Sequence, residues 1–180
     1  MRKVFLAIAI ALISRSLSAQ LPTDVRQFVL ASICAEYRVT EYPDWGAASI
    51  GFTSGMEMVL GHILAGVGFD NGIRNTTMTN FNAFLYLKGG YVFYKNKFLI
   101  TPYFKAGWFA DKRPSFEYGN ITRYNQILIG TGVEGVWTIS EYIWITAGLQ
   151  VFATDLSAKG YTTTFGMKMP LYEIPKKKRS

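Results

Sequence analysis

The alternation of apolar and polar positions is the main structural signal of this chain. Two consecutive stretches, Phe81–Tyr94 and Phe98–Phe109, place an apolar residue at nearly every second position and are separated by the turn-forming residues 95–97, Lys-Asn-Lys. A period of two predicts β-strands, because successive side chains point to opposite faces of a sheet. Both stretches exceed ten residues. That length is unusual in soluble sheets and typical of strands that cross a bilayer.

The same alternation recurs along the chain and predicts six further strands. They are Gln27–Val39, Ala48–Met58, His62–Asp70, Tyr124–Trp137, Ile143–Thr154 and Tyr161–Leu171. Turn-rich breaks separate them, and the longest break is DKRPSFEYGNITR at 111–123. Eight strands leave no length for a second domain. The predicted fold class is therefore all-β, an eight-stranded, up-and-down antiparallel transmembrane β-barrel.

The lengths of the breaks predict an orientation. Breaks after the first, third, fifth and seventh strands are longer than those after the second, fourth and sixth. An up-and-down barrel collects all of the longer connections at one end. Since outer-membrane barrels have short periplasmic turns and longer external loops, both termini are predicted to lie in the periplasm.

The first residues predict an export signal. Arg2 and Lys3 precede ten apolar residues, Val4–Ile13, and a small-residue cleavage site ends at Ala19. A retained anchor helix is the alternative, but Arg15 interrupts the apolar run. No later stretch reaches the roughly 18 unbroken apolar residues of a spanning helix. The predicted organisation is a cleaved signal peptide at 1–19, an outer-membrane barrel at 20–175 and a basic tail at 176–180.

Composition agrees with a barrel that faces lipid. Aromatic residues make up 16% of the chain and charged residues 17%, with 17 glycines. This mixture is unusual for a soluble domain and too apolar for a disordered chain. The net charge of +7 is raised by the predicted signal and the basic tail. No basic stripe or nucleic-acid-binding fingerprint occurs, so nucleic acid is not an expected partner. The single Cys34 is expected to pack.

Strand parity separates an outward apolar set from an inward set that carries charges. The inward candidates for a lumen charge network are Glu36, Arg38, Glu57, Lys88, Lys105, Glu134 and Lys168. The interior of an eight-stranded barrel is just wide enough for its side chains, and the bulky Tyr86, Tyr103 and Trp144 share this face. We therefore expect the charges to pair across a filled core. A binding or conducting role of these groups is the alternative.

Two phrases of the sequence carry a family resemblance. The segments LAGVGFD (64–70) and YVFYKNKFLITPYFKAGWF (91–109), together with the export signal and the closing strands, resemble the small outer-membrane β-barrel domain family. The chain is similar in architecture to OmpA- and OmpX-type eight-stranded barrels. The resemblance covers nearly all of the chain after the signal. It implies a location in the outer membrane of a Gram-negative cell, in contact with outer-membrane lipid.

A structural or surface-interaction role is the function that the sequence favours. Loops at one end of a rigid barrel commonly carry binding residues, so a protein partner is expected there. The candidate contacts are Tyr42, Trp45, Arg74, Arg113, Phe116 and Tyr118. A small pore or transport accessory is the first alternative. A soluble lipocalin-like ligand-binding barrel, with its apolar set inside, is the second.

A lipid-modifying barrel enzyme is the third alternative. Such chemistry requires a histidine with a nearby serine or acid. The only histidine, His62, adjoins a short break, and no His-x-Ser pair occurs. No catalytic residue is therefore predicted. One histidine and one cysteine do not form a convincing metal site, so no metal and no cofactor are predicted either.

Overall fold

Almost all of the described chain is β-strand. The computed structural model describes residues 27–41, 46–74, 80–95, 97–114, 121–155 and 158–174. The predicted signal peptide and the basic tail lie outside the described residues. Within the residues that the structure describes, no helix has the length and apolar character needed to cross a membrane.

Nine strand segments form one closed antiparallel sheet. They are Gln27–Glu41 (β1), Gly46–Leu60 (β2), Ile63–Arg74 (β3), Asn80–Tyr91 (β4), Phe93–Lys95 (β5), Phe98–Pro114 (β6), Ile121–Thr138 (β7), Trp144–Thr154 (β8) and Lys159–Ile174 (β9). Each strand pairs with the next one, except that β4 and β5 both pair with β6, and β9 pairs with β1 to close the sheet. Because β4 and β5 both pair with β6 as one interrupted strand, the barrel has eight strands. The predicted fold class is confirmed.

The interruption between β4 and β5 has a chemical cause. Paired positions run to Gly90 opposite Tyr103 and resume at Phe93 opposite Ile100, so the skipped step contains Pro102. Proline has no backbone N–H and cannot donate to a β-ladder. The strand consequently breaks at this step.

A second irregularity lies where the barrel closes. The β1–β9 register shifts between Val29 and Leu30, which pair with Tyr172 and Pro170. The extra residue, Leu171, forms a β-bulge, and both Leu171 and Tyr172 are exposed. The strict alternation of inward and outward side chains therefore ends near the end of β9.

The strands are staggered by ten residues around the barrel. From Arg38, each residue can be followed to its cross-strand partner on the neighbouring strand until the path has passed once around the barrel. The path returns to β1 at Phe28, ten positions before Arg38. The positions passed are Thr162, Gln150, Gly132, Tyr103, Gly90, Leu64 and Val59. Such a stagger tilts the strands against the barrel axis, and an eight-stranded wall then encloses a space that side chains fill.

Most strands are longer than predicted, which corrects the loop lengths. Residues 111–114 belong to β6 and residues 121–123 to β7, although the sequence pattern assigned them to one loop. The connections between barrel strands contain four, two, five, two, six, five and four residues in chain order. The predicted alternation of long and short connections therefore fails at the sixth connection, residues 139–143. There Ser140 Oγ accepts hydrogen bonds from the backbone N–H groups of Tyr142 and Ile143, which forms a wider turn.

The charged lumen as candidate functional site

The lumen contains a balanced set of buried charges. Among the described residues, eight charged side chains are buried, each between 1% and 7% exposed. Four are acidic and four are basic: Glu36, Glu57, Asp70 and Glu134, and Arg38, Lys88, Lys105 and Lys168. Buried charges are costly unless they pair and form hydrogen bonds. The eight side chains form two clusters, and the polar atoms of the first are paired more completely than those of the second.

The first cluster, here named the lysine–glutamate ring, consists of Glu57, Lys88, Glu134 and Lys168. Lys88 Nζ lies 2.7 Å from Glu57 Oε1 and 2.9 Å from Glu134 Oε2. Lys168 Nζ lies 2.6 Å from Glu134 Oε2 and also contacts Glu57 Oε2. Thr146 Oγ1 donates to the remaining oxygen, Glu134 Oε1, at 2.9 Å. Each lysine bridges both glutamates, and every carboxylate oxygen of the ring accepts a hydrogen bond.

The second cluster, here named the Arg38 cluster, consists of Glu36, Arg38, Asp70 and Lys105. Arg38 Nη2 lies 2.7 Å from Glu36 Oε1 and 3.2 Å from Asp70 Oδ2, and Lys105 Nζ lies 3.4 Å from the same Asp70 oxygen. The Arg38 guanidinium carbon is 5.3–6.0 Å from the ring centres of three phenylalanines, Phe84, Phe109 and Phe152. These distances permit cation–π attraction.

Two tyrosines pack on the lysines of the lumen. Lys88 Nζ lies 4.4 Å from the ring centre of Tyr103, and Lys105 Nζ lies 3.9 Å from that of Tyr86. Tyr86 fits because Gly68 has no side chain: a Cβ there would overlap the Tyr86 hydroxyl group. The glycines of the inward set thus make room for large rings, which fills the lumen.

An apolar layer closes the lumen at the end where β1 begins. Its members, here named the apolar plug, are Phe28, Leu30, Val59, Leu64, Val92, Leu99, Val136 and Trp144. Every barrel strand except β9 contributes to it. Phe28 and Trp144 meet edge to face with ring centres 5.1 Å apart. A second apolar cluster, of Phe84, Tyr86, Phe109, Leu128 and Phe152, lies towards the opposite end.

His62 joins the turn between β2 and β3 to the interrupted strand formed by β4 and β5. Its Nδ1 lies 2.7 Å from the carbonyl oxygen of Val92, and its ring stacks on Tyr91 with centres 5.2 Å apart. The neighbouring Tyr94 hydroxyl donates to the carbonyl of Gly61 at 2.8 Å. Among the described residues, no serine or carboxylate forms a hydrogen bond or ion pair with His62. The same part of the chain contains no group of three metal-ligating side chains.

The structure brings all seven lumen candidates of the sequence into the two clusters and adds an eighth residue, Asp70. The strand pattern assigned Asp70 the inward parity of Gly66 and Gly68, but placed it at the end of a strand. In the structure β3 continues to Arg74, so Asp70 lies well inside the barrel. Counting the last residue of the predicted strand among the inward charges would have identified it.

The predicted loop contacts are distributed differently. Tyr42, Trp45, Phe116 and Tyr118 lie outside the described residues. Arg74 is the last residue of β3 and Arg113 lies within β6, so these two belong to strand ends and not to loops.

Several solved structures have the same fold. Neisserial surface protein A matches with a TM-score of 0.62 and 10% identity, over 81% of this chain and 97% of that chain. Ail, the attachment invasion locus protein of Yersinia pestis in complex with the heparin analogue sucrose octasulfate, matches with a TM-score of 0.60 and 15% identity, over 81% and 99%. The N-terminal β-barrel domain of Pseudomonas aeruginosa OprF matches with a TM-score of 0.51 and 14% identity, over 80% and 99%.

These similarities define the class of fold. No protein-family model and no curated protein matches the sequence. At such low identities the structural matches bear on the fold alone. The chain has the fold of a small outer-membrane β-barrel of the OmpA and OmpX type, as the sequence resemblance predicted.

Proposed function

We propose that this chain is a structural or surface-interacting barrel of the Gram-negative outer membrane, with a lumen closed to ions. The observation that carries the proposal is the polarity of the wall. Apolar side chains such as Ile50, Leu87 and Trp108 are 61–68% exposed, while the charged set is buried inside. A soluble ligand-carrying barrel needs the opposite arrangement.

The extent of the outer apolar surface supports a lipid environment. Exposed large apolar side chains occur on every long strand of the wall, from Ile33 on β1 to Met169 on β9. Soluble monomers rarely expose contiguous apolar patches beyond a few hundred Å². At one end, Phe98 and Trp137 stack with ring centres 5.9 Å apart, as in the aromatic girdles that face lipid headgroups.

The filled lumen favours a closed barrel rather than a pore. An ion would have to pass the lysine–glutamate ring, in which every charge is paired, and then the apolar plug. Moving an unpaired ion through such a layer costs far more than thermal energy. The pore or transport-accessory alternative would require both layers to open together.

The arrangement around His62 supports a non-enzymatic role. Its Nδ1 is engaged with a backbone carbonyl, its ring stacks on Tyr91, and Tyr94 meets it in an edge-type contact. A general base needs a partner hydroxyl or carboxylate within hydrogen-bond reach. The contacts of His62 instead join a turn to the neighbouring strand.

The charge balance of the long-connection end bears on the kind of partner. Residues 41–46, 71–80, 111–123 and 155–160 carry five acidic and five basic side chains: Glu41, Asp44, Asp111, Glu117 and Asp155, and Arg74, Lys112, Arg113, Arg123 and Lys159. This balance does not favour a sulfated polyanion such as the ligand bound to Ail. The aromatic candidates Tyr42, Trp45, Phe116 and Tyr118 favour a protein partner, because aromatic residues are enriched in protein interfaces.

Membrane fractionation tests the proposed location. The full chain, expressed in a Gram-negative host, is expected in the outer-membrane fraction of a density gradient and should leave it only with detergent. Recovery as a detergent-free monomer from the periplasm would refute the proposal and favour the lipocalin-like alternative.

A further inference from the structure

The two charge clusters of the lumen differ in how fully their polar atoms are used. In the lysine–glutamate ring all four carboxylate oxygens accept hydrogen bonds. In the Arg38 cluster four atoms have no hydrogen-bond partner among the described residues: Glu36 Oε2, Arg38 Nε, Arg38 Nη1 and Asp70 Oδ1. The three side chains are only 1–3% exposed. Native proteins rarely leave several buried polar atoms of one cluster unpartnered.

The chemistry of these four atoms identifies what would fit them. The formal charges of Glu36 and Asp70 cancel those of Arg38 and Lys105, so the cluster has no net charge with which to attract an ion. Two of the unpartnered atoms carry N–H donors and two are acceptors. A ligand for them must be small, neutral and able both to donate and to accept hydrogen bonds. Water has these properties, and buried water typically makes about three such bonds.

A second buried group extends this pattern towards the long-connection end. Gln126 is 3% exposed, and both atoms of its side-chain amide lack a hydrogen-bond partner within the described part of the chain. It is the cross-strand partner of Phe109, whose ring lies beside Arg38. An amide again combines donors with an acceptor, as a hydration site requires.

We propose that the Arg38 cluster is a built hydration site that binds internal water, whereas the lysine–glutamate ring is dry. The lumen is then hydrated around Arg38 and dry at the paired ring and the apolar plug.

Water-selective nuclear Overhauser spectroscopy of the labelled full chain, refolded in detergent micelles, tests this proposal. Cross-peaks at the water frequency are expected for the Arg38 Hε proton and for the Gln126 side-chain amide protons. The methyl groups of Val136, in the apolar plug, serve as the dry reference and should show none. Absence of water cross-peaks at Arg38 in the wild-type chain would overturn the proposal.

A matched pair of variants locates the water. Thr162 is the β9 partner of Arg38 and is buried in the lumen, whereas the adjacent Thr163 is exposed on the outer face. Thr162→Leu adds apolar volume beside Arg38 and should abolish the Arg38 cross-peak, while Thr163→Leu should leave it unchanged. Retention of the cross-peak in both variants would assign the water elsewhere and overturn the site.

An ion is the remaining competitor for the same atoms. Replacing sulfate by chloride in the buffer should leave the Arg38 Hε resonance in place. A saturable shift with chloride would overturn the hydration site in favour of an anion site. If Thr162→Leu does not fold, the wild-type comparison of Arg38 with Val136 still decides between a wet and a dry cluster.

Discussion

Lys168 completes the lysine–glutamate ring, and its removal should destabilise the barrel strongly. Lys168→Met removes two of the four lysine–carboxylate contacts of the ring and leaves Glu57 and Glu134 to share Lys88. The methionine replaces most of the lost volume, so the main effect is one uncompensated buried negative charge. Breaking a buried ion pair by removing one partner typically costs about 3–5 kcal/mol.

Equilibrium unfolding in urea, with the chain inserted in lipid vesicles and followed by tryptophan fluorescence, measures this cost. A linear extrapolation gives the free energy of unfolding in the absence of urea. Lys159→Met is the matched control, because Lys159 lies on the same strand and is exposed. Its free energy of unfolding should stay within about 0.5 kcal/mol of the wild-type value.

A double variant distinguishes lost pairing from lost packing. Glu134→Gln combined with Lys168→Met leaves a neutral Glu57–Lys88 pair, so its destabilisation should be smaller than the sum of the two single variants. Residues of one charge network commonly show coupling energies of about 0.5–3 kcal/mol. If Lys168→Met costs less than about 1 kcal/mol, or if the double variant is strictly additive, the ring does not act as a stabilising unit.

Three further predictions concern conduction, orientation and packing. The chain reconstituted in planar bilayers should give no stable current, and reproducible single-channel steps would contradict the closed lumen. Protease added to intact cells should cut within residues 115–120 and spare residues 95–97; the reverse pattern would invert the orientation that the sequence predicts. Gly68→Ala should lower the free energy of unfolding by about 1–3 kcal/mol because its Cβ would overlap Tyr86, whereas Gly89→Ala, whose nearest neighbours are 3.8 Å away, should change it little in the same assay.

Parity along single strands made much of this fold predictable. The period of two is imposed by the two environments of the wall, so the sequence alone separates the inward charges from the outward apolar residues. The ends of the strands were less predictable. Residues 112–114 pair with residues 121–123 although most of them are polar, because hairpin pairing beyond an apolar belt does not require apolar alternation.

The division of the lumen charges into two clusters was not predictable from local pattern. Lys168 and Glu57 are separated by 111 residues and meet only because β9 closes on β1. Which charges share a level depends on the ten-residue stagger of the wall, and stagger is a property of the closed sheet. Likewise, Pro102 is evident in the sequence, but the interruption opposite it follows from the pairing of β4 and β5 with β6.

The lysine–glutamate ring also selects the register in which the barrel closes. A slip of two residues between β9 and β1 keeps every apolar side chain on the lipid side, so lipid contact alone does not reject it. The same slip would carry Lys168 about 7 Å along the wall relative to Glu57 and break their contact, whereas Glu134, on the same side of the β9–β1 junction, would stay beside Lys168. Glu57 Oε2 would then lose its buried lysine partner. In this barrel the ion pairs thus distinguish the correct β9–β1 register from registers two residues away, which the apolar pattern alone does not distinguish.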